Sequence, residues 1–150
     1  MKTRVFGTIA FVLLTSASIV RAQSFTFVTK ASPPAMRVGG TTATGQPYGA
    51  TATSSTRETM MAGKKKTGTQ NCITMTQSPN NKVFDSHAMC LVTEADGTYN
   101  SVLGCSSVGQ GTTACWGRMT GQTGVYANRT GVVSSTGKDG VRTGSGQWDQ

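Results

Sequence analysis

From Gln70 onward, strand-forming runs alternate with turn chemistry at intervals too short for a stable helix. The runs cover residues 70–76, 84–93, 99–105 and 112–120. Between them lie Ser78-Pro-Asn-Asn-Lys82, Glu94-Ala-Asp-Gly-Thr98 and Ser106-Ser-Val-Gly-Gln-Gly111. Asn and Asp tolerate left-handed backbone, and Gly reaches positive φ without steric cost. Four strands with short connections predict an antiparallel meander.

The cysteines give that meander a register. In a hairpin, opposed residues are equidistant from the turn centre. Cys72 and Cys90 centre on Asn81, Cys90 and Cys105 between Gly97 and Thr98, and Cys105 and Cys115 on Gln110. All four are therefore expected in one row across adjacent strands. Opposed residues lie within disulfide range, whereas a bridge that skips a strand would have to span roughly 9–10 Å. Pairing 90 with 105 would strand Cys72 and Cys115 three strands apart. The expected bridges are Cys72–Cys90 and Cys105–Cys115, provided no bulge slips the register. A zinc site is disfavoured, because there is no C-x2-C spacing and only one histidine. No metal or cofactor is expected.

The rest of the chain fits the same architecture. Residues 24–29 alternate as a first strand, which Pro33-Pro34 stops because proline cannot donate to a ladder. Residues 35–49 read as an irregular connection with a short strand near Arg37-Val38. Residues 50–61 form a longer strand, and Gly63-Lys64 opens a polar, lysine-rich turn. No stretch after residue 22 repeats apolar residues at helical spacing over three turns. The expected fold is all-β: a single antiparallel eight-stranded barrel over residues 23–150.

Residues 1–22 read as a cleaved signal peptide. Lys2 and Arg4 precede a mostly apolar run, and Val20-Arg-Ala22 fits a cleavage site. No other stretch reads as a membrane span, so the expectation is a secreted or periplasmic protein. Lys2, Arg4 and Arg21 leave with the signal, which lowers the 14 basic residues to 11. Against 6 acidic residues the net charge falls from +8 to +5. Only Lys64-Lys65-Lys66 cluster, and no aromatics interleave with them, so a nucleic-acid partner is not expected.

Parity along the meander places Ile73, Met75, Met89, Leu91, Val102 and Trp116 on one face, with Trp116 opposite Gly104. The cysteine face also carries Phe84, Val92, Leu103 and Met119. Both faces are half apolar. The Ile/Met/Leu/Trp face is taken as the interior and as the lining of a ligand cavity. Asp85, His87 and Arg118 would then point inward as well. Histidine suits acid–base work near neutral pH, so His87 could act as acid or base, Asp85 could orient it, and Arg118 could hold an oxyanion. These three are the candidate catalytic residues.

The stretch after Cys115 adds a corner and two more strands. Gly121-Gln-Thr-Gly124, Val125-Tyr126-Ala127 and Arg129-Thr-Gly131, followed by a Thr/Ser strand, resemble the glycine-pinned motif of the allene oxide cyclase-like and dirigent-like barrels. Gln122 stands where that motif usually has glycine. Lys138-Asp-Gly140 is a hairpin turn, and the last strand ends at Trp148. The resemblance implies an eight-stranded barrel with an apolar cavity, often a homo-oligomer, that guides cyclisation by cavity shape. It transfers no catalytic residue, and a shared fold does not license an activity. Three functions therefore stand together: a barrel that binds a small apolar ligand, a structural or surface barrel, and a cofactor-free cyclase or isomerase.

Overall fold

A computed structural model describes residues 22–45, 47–76 and 83–149. The proposed signal peptide therefore lies almost wholly outside the described residues, as does the first turn of the meander. Among the described residues nine strands form one antiparallel sheet. They are β1 (Gln23–Ala31), β2 (Met36–Thr41), β3 (Pro47–Met61), β4 (Lys64–Thr76), β5 (Ser86–Glu94), β6 (Gly97–Gly109), β7 (Thr112–Gly121), β8 (Thr130–Lys138) and β9 (Val141–Trp148). The order is β1-β9-β8-β7-β6-β5-β4-β3-β2 with an additional β1–β3 pairing. That pairing closes eight strands into the expected barrel, and closure removes the exposed edges of an open sheet.

The ninth strand comes from the irregular connection. Pro33-Pro34 interrupts the chain after β1, and β2 then pairs with the first half of β3 while β1 pairs with the second. Both therefore run along the same side of β3, and β2 is exposed along its whole length.

Turn chemistry decides the boundaries. Ala62 (φ 51°) and Gly63 (φ 74°) make the two-residue β3–β4 turn, and Asp139 (φ 51°) and Gly140 (φ 78°) make the β8–β9 turn. Two residues with positive φ match the twist of the flanking strands. The three lysines are thus not a turn. They begin β4, and Lys66 points partly inward, its Nζ 2.5 Å from Asp96 Oδ2.

Both disulfides form as expected, Cys72 with Cys90 and Cys105 with Cys115, each pair directly opposed. The single row of four does not form. Cys90 faces Ser101 and Cys105 faces Ser86, because the β5–β6 turn is the tight Ala95-Asp96 rather than one centred between Gly97 and Thr98. The four-residue offset is even, so all four sulfurs stay on one face. A bulge between Ser107 and Gly109 leaves the Cys105–Cys115 pairing intact.

That face is the interior, which reverses the assignment made from parity. Cys90, Val92, Tyr99, Leu103, Cys105, Cys115 and Met119 are buried, joined by Phe25 and Phe27 from β1 and Trp148 from β9. Ile73 and Met89 are 56% and 62% exposed, and Met75, Leu91, Val102 and Trp116 also lie outside. Phe84, expected on the cysteine face, precedes β5 and folds over the outer side of Gly104. Its ring meets Trp116 and His87 edge-on at 5.1 and 5.5 Å. Apolar count could not choose between the faces, because the interior also holds buried Arg57, Thr59, Gln70 and Glu94.

Candidate functional site

The barrel has one filled end and one open end. At the filled end, Tyr126, Tyr99 and Trp148 form a cluster with ring centroids 5.0–5.1 Å apart, and Phe25 lies 6.3 Å from Trp148. The corner after β7 puts Tyr126 there, as its sequence context suggests. A Cβ on Gly121 would lie 1.6 Å from the Tyr126 carbonyl oxygen, and Gly124 (φ 60°) abuts the Asp96 carbonyl. Only glycine lets the chain fold back that closely. Arg129 caps the cluster from outside, its guanidinium 5.4 Å from the Trp148 ring centre.

Above the aromatics lies a buried polar layer. Arg57 sits over the Phe27 ring at 3.7 Å, a favourable cation–π geometry. Its Nη1 donates to Gln70 Oε1 (2.7 Å) and its Nε to Thr59 Oγ1 (3.1 Å), and Nε lies 3.7 Å from Glu94 Oε1. Thr59 donates to Glu94 Oε1 at 2.6 Å, and the Tyr126 hydroxyl donates to Glu94 Oε2. Lys66 Nζ reaches the Tyr126 oxygen at 3.2 Å. Burial holds the Arg57 pKa below its ordinary value, against the opposing pull of Tyr99 and Glu94. Burial, then the Glu94 hydrogen bond and charge, raise Tyr126; burial raises Tyr99. Arg57 Nη2 is buried without a hydrogen-bond partner among the described residues.

The other end opens to solvent through a cavity of about 380 Å3, within the size range of small-molecule sites. Its walls combine Ala88, Leu103 and both disulfides with Ser55, Thr113, Gln70 and Arg142, and Lys138 and Asp139 stand at the rim. Arg142 Nη1 donates to Ser135 Oγ (3.1 Å), Cys115 Sγ (3.2 Å) and, marginally, the Thr113 carbonyl (3.5 Å). Desolvation lowers its pKa. Arg142, Gln70 and Leu103 also line a void of about 10 Å3 below, which Arg57 shares.

The residues expected to line the cavity do not. Ile73, Met89 and Leu91 line an outer groove of about 370 Å3, and Trp116 borders other grooves on the outside. None of Asp85, His87 and Arg118 lines the cavity. Asp85 Oδ2 accepts from the Ser107 N–H at 2.7 Å, which anchors the residue beside the β6 bulge. His87 sits on the outer face opposite Gly104, and Arg118 is exposed opposite Val102. Sequence reasoning missed Arg57, Gln70, Glu94 and Arg142, which lie outside the meander or deep within it. One signal was available. Phe25 and Phe27 fall opposite Gly146 and Gly144, and a Cβ at either glycine would meet the ring at about 2.4–2.5 Å. Bulky rings opposite glycines mark the packed side of β9, and Arg142 has the same parity.

Among the described residues no group of histidine, cysteine or carboxylate side chains could hold a metal ion, and no helix is long and apolar enough to cross a membrane. No family model, curated protein or solved structure matches the chain.

Proposed function

We propose that the chain is an exported barrel that binds a small molecule in the cavity at its open end. The asymmetry of the barrel carries this reading. One end is filled by three aromatic rings, whereas the other keeps about 380 Å3 lined by both apolar groups and hydrogen-bond donors. A barrel serving only as a stable body would gain by filling that space, since each buried methylene adds about 0.8 kcal/mol. The two disulfides support an oxidising compartment, outside the cytoplasm. The closed eight-stranded barrel agrees with the architecture that the allene oxide cyclase-like resemblance implies. Asp85, His87 and Arg118 do not line the cavity, so the cyclase reading lacks its expected catalytic groups there.

Native mass spectrometry of the protein from its own host tests this. The wild type should carry a small-molecule adduct that Leu103→Trp, which fills the cavity, removes without unfolding the barrel. Unliganded masses for both proteins would refute the reading.

A further inference from the structure

The open cavity holds good donors matched to poor acceptors. Gln70 gives its amide to sulfur, at 3.3 Å from Cys72 Sγ and 3.8 Å from Cys90 Sγ. Arg142 Nη1 is shared among Cys115 Sγ, a serine hydroxyl and, at 3.5 Å, the Thr113 carbonyl. Sulfur is a weak acceptor, whereas a guanidinium bonds most strongly to an oxyanion. No carboxylate lies within ion-pairing distance of Arg142 among the described residues, and the buried acid nearby, Glu94, is already engaged with Arg57, Thr59 and Tyr126. Below Arg142 and Gln70, the void of about 10 Å3 has room for about one water, and Arg57, with its buried and unpartnered Nη2, lines it. The inner wall of the cavity thus presents two guanidiniums and one amide against a single internal carboxylate. Beside them, Ala31, Ala88 and Leu103 supply apolar wall.

We propose that the cavity recognises the carboxylate of a small, partly apolar acid, docked between Arg142 and Gln70 with its apolar part against Leu103 and Ala88. This rests on the cavity being a ligand site, and it names the chemistry of the ligand. The carboxylate takes over the donors that now face sulfur and compensates the cationic wall, while Leu103 and Ala88 cover the tail.

The test is a titration of the disulfide-intact protein with hexanoate, hexan-1-ol and acetate, followed by amide NMR shifts and calorimetry. Hexanoate should shift the amides of Ala88, Leu103 and Arg142 and bind at least tenfold tighter than either other probe. Arg142→Met should lower hexanoate affinity at least tenfold and leave hexan-1-ol unchanged. Gln70→Leu should weaken hexanoate in the same direction, which covers the case in which Arg142→Met fails to fold. Lys30→Gln, exposed on the outer face of β1, should change little. Hexan-1-ol binding as tightly as hexanoate would overturn the acid preference while leaving the cavity a ligand site. Acetate matching hexanoate would reduce the site to an anion trap and overturn the apolar part. Absence of any shift with all three probes would remove both this inference and the ligand-binding reading.

Discussion

Replacing Glu94 with glutamine removes one charge and almost no volume from the buried layer, so its effect isolates the electrostatics of the fold. Arg57 and Glu94 have side chains only 3% and 1% exposed, with Nε and Oε1 3.7 Å apart. Neutralising one partner of a buried pair leaves the other charge uncompensated, at about 3–5 kcal/mol. The Phe27 face and the Gln70 hydrogen bond still stabilise the guanidinium; the new amide oxygen accepts from one of Thr59 and Tyr126, and the other hydroxyl can turn to accept from the amide NH2. The lower end of the range, about 3 kcal/mol, therefore applies. For a domain of this size that corresponds to a fall in Tm on the order of 10 °C. Arg57→Met should cost a similar amount by stranding Glu94. The double variant should cost about 1–2 kcal/mol, because an absent pair leaves no orphaned charge. The double-mutant cycle, measured by urea denaturation at neutral pH with the disulfides intact, should then give a coupling of at least about 2 kcal/mol. Additive single effects, with coupling below about 0.5 kcal/mol, would refute the claim that these two charges stabilise each other.

Three other expectations follow from the same packing. Met119→Ala should destabilise by about 2–5 kcal/mol, while Met89→Ala, on the outer face, should stay within about 0.5 kcal/mol; chemical denaturation would expose a reversed order. Gly121→Ala should cost at least about 2 kcal/mol, because the new methyl overlaps the Tyr126 carbonyl, and a Tm equal to wild type would contradict the corner geometry. Tyr99 and Tyr126 have folded pKa values raised above the ordinary value of about 10, so their contribution is complete below that pH and declines as pH climbs past it. Stability should therefore fall above about pH 10, by up to about 1.4 kcal/mol per pH unit for each tyrosine, and tyrosinate absorbance should rise together with unfolding rather than before it.

The sequence disclosed the elements that depend on local chemistry. Strand positions, the Asp139-Gly140 turn and both disulfides follow from alternation, turn residues and the equal distance of paired cysteines from a hairpin centre. Tyr126 plugging one end follows from the glycines on either side of it. The choice of inside and outside did not follow. Each strand of the meander carries apolar residues on both faces, and the deciding weight comes from Phe25, Phe27 and Trp148 across the β1–β9 pairing, outside the meander. The candidate site was hidden for a related reason. Arg57, Gln70 and Arg142 sit on three different strands, and only barrel closure brings them around one space. Parity was read along the meander alone and so never reached Arg57 on β3 or Arg142 on β9.

Gln23 and Trp148 are register partners across the β1–β9 seam, and Arg129 holds Gln23 there through a 2.9 Å hydrogen bond. The first and last staves of the barrel thus finish side by side on its sealed underside. A tether, tag or neighbouring domain joined at either point would hang beneath the vessel and leave its brim clear, and a short linker between the two points would make the strand circuit continuous.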